Sequence, residues 1–291
     1  MKNVLSRRGI LALLTGTALI FSGCSNSSSI KMKGSDTEVN LAVNLAERFT
    51  KLDPTFHIAI SGGGSGLGIT SLLNGQADIA NSSRPLSDEE RALFKKKNIA
   101  LKTVIFAEDA TAFVVHKDSP LAEISTDTLA MILDGTLKNW AEITNQDLQI
   151  NIYGRQSSSG THSFIKKKLN IEFANTAKEM TGNAQIIEGV KADRTGIGYV
   201  GAGYVSQDPA SSQGIKVLSI IDPKQGVAVS PLDQQAINQG SYFFQRPLYQ
   251  FVLAQSWSKV RPFINFERSA EGRALIENHG YYILESQHNE L

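Results

Sequence analysis

Phe56-His57-Ile58-Ala59-Ile60-Ser61-Gly62-Gly63-Gly64-Ser65-Gly66-Leu67 reads as a strand, a glycine-rich turn and the opening of a helix. Phe56, Ile58 and Ile60 alternate with polar or small neighbours, the period-two pattern of a β-strand that ends at Ser61. From Leu67 to Asn74 the pattern becomes helical, Gly75 is placed to stop the helix, and Asp78-Ile79-Ala80 begins another short strand. The same grammar recurs outward along the chain. Ser87-Asp88-Glu89-Glu90 predicts a helix opened by a capping box, with Ser87 as N-cap and Glu90 reaching back, and Thr126 begins a helix that Gly135 stops. Val104-Ile105-Phe106, Phe113-Val114-Val115 and Leu248 to Leu253 are apolar runs suited to buried strands. Strands alternating with helices predict an α/β fold. Runs this far apart are placed to carry the chain out of one lobe and back into it. The expectation is two lobes joined by a hinge, one built from residues 31–107 and 243–291 and the other from 108–242.

Composition narrows the function classes. With 291 residues, 41% of them hydrophobic and 20% charged, the chain suffices for one large or two modest domains and excludes collagen-like, disordered and coiled-coil readings. The 29 Lys+Arg against 28 Asp+Glu argue against a nucleic-acid binder, which carries a basic domain or stripe. A single cysteine excludes an internal disulfide, a Cys-rich zinc site and an iron–sulfur cluster.

Residues 1–23 read as an export signal: Lys2, Arg7 and Arg8, then an uncharged stretch whose apolar part, Ile10 to Phe21, is too short to span a bilayer. Phe21-Ser22-Gly23-Cys24 resembles a bacterial lipobox, with Cys24 as the lipidated first residue of the mature chain and Phe21 in place of the usual aliphatic residue. Ser6-Arg7-Arg8-Gly9-Ile10-Leu11 also resembles a twin-arginine signal, which leaves both export routes open. Residues 24–30, rich in serine, read as a flexible tether from a lipid anchor, placing the protein outside the cytoplasm. Removing residues 1–23 takes away three basic residues and no acidic one, so 26 basic face 28 acidic residues and the mature charge is −2.

Three turns share a composition: Gly34-Ser35-Asp36-Thr37, Gly62-Gly63-Gly64-Ser65-Gly66 and Ser157-Ser158-Ser159-Gly160-Thr161. Each places glycine and small hydroxyl residues at a helix N-terminus, where free N–H groups and the helix dipole favour an anion. Any one of them is equally served by ordinary N-capping; three, with Arg155 four positions before Ser159, point to an oxyanion cage. Rival chemistries lack their residues. No glycine cluster fits the dinucleotide fingerprint or the nucleotide P-loop, and Leu67 occupies the place of the second glycine of a nucleophile elbow around Ser65. The five histidines have no metal-ligand spacing, and His162 reads as a helix first-turn residue rather than a general base. Arg91 with Lys95, Lys96 and Lys97, and the run Lys166-Lys167-Lys168, read as solvated helix faces or as docking surfaces for a membrane partner. Tyr242, Phe243, Phe244 and Tyr249 read as core or interlobe packing.

From about Lys33 to Tyr282 the chain resembles the phosphate-binding proteins of high-affinity phosphate ABC transporters, in the class II periplasmic-binding-protein superfamily. The resemblance rests on the three turns, on Asp78-Ile79-Ala80-Asn81-Ser82-Ser83-Arg84-Pro85-Leu86, on Leu133-Asp134-Gly135-Thr136-Leu137-Lys138-Asn139-Trp140 and on Gly196-Ile197-Gly198-Tyr199-Val200, with Arg155 and Ser159-Gly160-Thr161 as its most specific part. It implies a two-lobed α/β flytrap, monomeric and non-enzymatic, that delivers inorganic phosphate to a membrane permease. It also implies a ligand set of Ser35, Thr37, Ser65, Ser83, Arg155, Ser159, Gly160 and Thr161, with Ser35 either a ligand or only a cap. No cofactor or metal is expected, since closure of a hinged cleft needs none. Ser83 stands where some members of this family carry an aspartate that accepts the phosphate proton, and Asp36 is a second candidate for that acceptor. Arg84 either turns inward or pairs with a carboxylate at the cleft rim. The alternatives are a binder of sulfate or molybdate, a sensory or adhesion lipoprotein on the same fold, and a secreted hydrolase using Ser65 or Ser159.

Overall fold

The computed structural model describes residues 28–206 and 213–283, so the export signal and Cys24 lie outside the described residues. The strands in chain order are β1 (Ser28–Gly34), β2 (Phe56–Ser61), β3 (Ile79–Ser82), β4 (Leu101–His116), β5 (Glu123–Ser125), β6 (Asn151–Arg155), β7 (Lys178–Met180), β8 (Gly196–Gly201), β9 (Ile215–Val217), β10 (Ser219–Ile221), β11 (Ala228–Val229) and β12 (Gln245–Leu253). The helices that position the site are α1 (Val39–Leu52), α2 (Ser65–Leu73), α3 (Asp88–Lys96), α4 (Thr126–Leu133), α5 (Gly160–Leu169) and α6 (Asn183–Ala192).

One sheet runs in the order β2-β1-β3-β12-β4-β8-β6-β7, with β9 also on β4, and a small sheet pairs β11, β10 and β5. The long strands β4 and β12 are antiparallel neighbours that pass through both halves. The apolar runs at Val104 and at Phe113 belong to the single strand β4. Its first half packs in a core with Ile30, Leu41, Leu45 and Phe263, and its second in a core with Leu129, Ile165, Ile197 and Phe244. The chain therefore crosses between lobes from Ala107 to Ala110 and returns between Phe244 and Leu248, which puts Phe243 and Phe244 in the second lobe's core. Tyr282, near the end of the described chain, also packs there.

Local signals act as their chemistry dictates. Ser87 and Glu90 form the reciprocal capping box of α3, and Ser125 caps α4 by accepting from Thr128 N. Gly75 and Gly135 take the left-handed conformation just past α2 and α4. β1 begins at Ser28, inside the stretch read as a tether, because Ile30 and Met32 are fully buried and the strand pairs β2 and β3 in parallel. No helix among the described residues is long and apolar enough to cross a membrane.

Candidate anion-binding site

All eight residues singled out in the sequence meet where the two lobes face each other. Ser35 and Thr37 follow β1, Ser65 opens α2 and Ser83 follows β3, all in the first lobe; Arg155 ends β6 and Ser159, Gly160 and Thr161 open α5 in the second. Ser35 Oγ lies 2.5 Å from Ser83 Oγ, and Ser65 Oγ accepts from Ser83 N at 3.1 Å. Across the interface Thr37 Oγ1 is 3.0 Å from Thr161 Oγ1. Ser159 caps α5 through His162 N, whereas neither α1 nor α2 has a side-chain N-cap bond. Ser35 is thus not a cap; it belongs to the hydroxyl cluster. All six hydroxyl residues are at most 3% exposed.

The lobes are shut on one another. Gly66 N donates to Ser158 O at 3.0 Å and Gln156 Nε2 to Gly63 O at 3.0 Å. Glycine is obligatory at two contacts. Gly64 has φ +107° and a Cβ there would stand 2.9 Å from Ser158 O, while a Cβ on Gly160 would meet Ser65 Oγ at 2.2 Å.

Arg155 is 1% exposed. Its backbone N–H donates to Tyr199 Oη at 2.9 Å, its carbonyl is bonded to His162 Nδ1, and its Nη2 donates to Thr181 O at 2.9 Å. Nη1 stands 3.5 Å from Asp36 Oδ2, yet neither Nε nor Nη1 has a hydrogen-bond partner. Asp36 Oδ2 itself accepts from both Asn183 N and Asn183 Nδ2 at 2.7 Å. Asp36 is therefore an interlobe latch that orients Arg155. His162 is the first-turn residue its position implied: its ring stacks on Phe173, and burial lowers its pKa. Arg84 forms a two-pronged pair with Glu90 at 2.7 and 2.8 Å, the rim pairing rather than the inward one.

Three further ionisable residues lie at or behind the cluster that local motifs did not disclose. Arg246 on β12 donates to Thr161 Oγ1 at 2.9 Å, Ser83 O at 3.3 Å and Thr37 Oγ1 at 3.4 Å. Its Nε and Nη2 hold Asp109 Oδ2 of β4 at 3.0 and 2.8 Å, its guanidinium lies 5.1 Å from the Phe164 ring centroid, and both members of the pair are essentially buried. Arg246 fills acceptor positions on Thr37 and Thr161 and one threonine donates to the other, so one of the two hydroxyl protons remains available to point elsewhere. Glu38, fully buried behind Ser35 and Ser83, is the third charged-type residue the motifs missed; burial pushes its carboxyl up to about 8, so it holds its proton at neutral pH. The only signal for Arg246 and Asp109 was a charge beside a buried apolar run. A groove of about 770 Å³ between the lobes reaches Ser83 and Arg246, with Arg84, Phe164, Lys168 and Tyr249 on its walls.

A cage of buried hydroxyls, with two guanidinium groups largely balanced by Asp36 and Asp109, suits a small oxyanion. A model of the PBP superfamily domain matches residues 22–269. The phosphate-binding protein PstS of Staphylococcus haemolyticus is 30% identical over 258 residues, covering 86% of this chain and 79% of that protein. This chain is a PstS-type member of the PBP superfamily. The protein SphX of Synechococcus elongatus is 31% identical, covering 82% of this chain and 73% of its own length. A phosphate-bound ABC transporter substrate-binding protein from Clostridium perfringens superposes with a TM-score of 0.78 over 88% of this chain and all of its own, at 23% identity. The PstS-type fold accounts for the two lobes.

Proposed function

We propose that this chain is an extracytoplasmic binding protein that closes on one inorganic phosphate ion and hands it to the permease of an ABC transporter. One observation carries the reading: a fully buried arginine whose Nε and Nη1 make no hydrogen bond lies at the meeting of two lobes that also buries six hydroxyl residues. A tetrahedral anion satisfies such donors, and in a water-excluded cage each charge-assisted bond is strong. The ligands are Ser35, Thr37, Ser65, Ser83, Arg155, Ser159, Gly160 and Thr161, with Arg246 added from the structure. Binding rather than catalysis fits the hydroxyls: Ser65 Oγ is engaged with Ser83 N, and His162 Nδ1 with the Arg155 carbonyl. Anchoring through a lipid on Cys24 and a monomeric state belong to the same proposal, with the lobes dividing within β4 near Ala107 to Ala110 and again between Phe244 and Leu248, rather than at 243.

Calorimetric titration tests it. The protein binds phosphate one to one, and Arg155→Ala weakens binding by about 30-fold or more, the cost of removing one partner from a buried charged pair. A wild-type protein that gives no heat with phosphate refutes the reading.

A further inference from the structure

Ser35 Oγ and Ser83 Oγ, 2.5 Å apart, share one hydrogen bond, so one hydroxyl donates to the other and a single proton is left between them. Glu38 stands behind both. It is fully buried, its Oε1 lies 3.4 Å from Ser83 Oγ, and its carboxyl is also hydrogen-bonded to the Ser35 side chain. A carboxyl Oε1 accepts whether the group is ionised or neutral, so the remaining serine proton has an acceptor inside the protein. When Ser83 donates to Glu38 Oε1 and Ser35 to Ser83, neither serine proton is left for the cage and Ser83 Oγ presents only a lone pair to it.

We propose that Glu38 sets the anion specificity of this site, acting through Ser35 and Ser83: it draws their protons inward and leaves Ser83 Oγ to accept a hydrogen bond from a tetrahedral oxyanion that carries a proton. This rests on the phosphate reading above. A fully ionised anion of the same shape, such as sulfate, has no proton to give and meets an oxygen lone pair instead. Glu38 is a positioning residue, since it acts through the serines.

The groups facing Glu38 are Arg246 from β12, which favours its ionised form, and Asp109 from β4, which opposes it; the hydroxyl of Tyr281 also lies within its field. Burial outweighs these and pushes the carboxyl up to about 8. Below that pH Glu38 is neutral; above it, a negative charge appears behind the bound anion and weakens binding, although phosphate keeps one proton there.

Titrations of wild type, Glu38→Leu and Glu38→Gln with inorganic phosphate and with sulfate test this. Wild type prefers phosphate, Glu38→Leu reduces that preference about tenfold or more by removing the acceptor, and Glu38→Gln keeps it because its Oε1 still accepts. Wild-type affinity for phosphate falls as pH rises through about 8, whereas that of Glu38→Gln does not. A Glu38→Leu protein that binds phosphate with undiminished preference overturns the proposal, as do parallel pH profiles for wild type and Glu38→Gln, a comparison that decides even where the leucine variant fails to fold. Wild type that binds phosphate and sulfate alike also overturns it while leaving the phosphate reading standing; wild type that binds no phosphate removes both.

Discussion

Arg246→Met separates what the buried ion pair does for the fold from what it does for the ligand. Arg246 and Asp109 sit opposite each other in the β12–β4 register, 2% and 0% exposed at the side chain, joined by bonds of 2.8 and 3.0 Å. With the guanidinium gone, the Asp109 carboxylate keeps the Ala202 amide on Oδ1 at 3.2 Å but loses the charge that balances it. Breaking a buried pair in this way costs about 3–5 kcal/mol. At about 2–4 °C per kcal/mol for a chain of this size, the unfolding midpoint drops by about 6–20 °C. Adding Asp109→Leu removes the stranded charge, and stability returns close to that of wild type, because replacing both partners by apolar side chains is neutral to favourable. Binding does not return: Thr37, Thr161 and Ser83 still lack the donor that fixed their oxygens, and phosphate affinity stays about 10- to 100-fold low, the worth of a charged hydrogen bond. Urea unfolding without phosphate, with calorimetric titration of the same three proteins, measures both quantities. An Arg246→Met protein within about 1 kcal/mol of wild type, or a double variant as unstable as the single, refutes the reasoning.

Gly160→Ala puts a methyl group 2.2 Å from Ser65 Oγ, so the lobes cannot shut; small-angle scattering should show no compaction on adding phosphate, and titration a severe loss of affinity. Glu267 is fully buried and pushed up to about 8 by desolvation, against the bond from Gln250 Nε2 at 2.8 Å. The folded state therefore holds a proton that the unfolded chain releases near its ordinary value of 4.5, and stability falls as pH rises between those values. Glu267→Gln should make the unfolding midpoint decline less over that window, and an unchanged decline argues against a buried neutral acid. Arg84→Ala should lower phosphate affinity less than about threefold, since its guanidinium is committed to Glu90 at the rim and rim charges act mainly on association rate.

The parts of this molecule that were legible in sequence are those whose chemistry is local. The capping box at Ser87 and Glu90, the left-handed stops at Gly75 and Gly135, and the period-two strand at Phe56 each depend on a few neighbouring residues and appear as read. The cage was legible for the same reason: each of its turns is a short glycine and hydroxyl segment ahead of a helix. Arg246 and Asp109 were not, because their partnership depends on a pairing between residues 137 positions apart. Glu38 adjoins a motif but resembles an ordinary acidic residue at a helix start; only the packing of Ser35 and Ser83 over it reveals a buried acid. The apolar runs at Val104 and Phe113 read as two strands, since Glu108 and Asp109 interrupt them, yet those two charges lie inside one continuous strand where the lobes meet.

That crossing has a mechanical consequence. Any rotation of one lobe against the other must bend β4 and β12 near Ala107 to Ala110 and Phe244 to Leu248, and the Arg246–Asp109 pair sits between those limits. A fulcrum moves least. Arg246 accordingly stays with Asp109 through the stroke, while Arg155, carried at the end of β6, travels toward Asp36 with the second lobe. The contacts between Gly66 and the exposed Ser158, and between Gln156 and Gly63, join the two jaws and must break for the lobes to open. The two arginines thus divide the work of a clamp: one is its fixed pivot and the other rides on its closing arm.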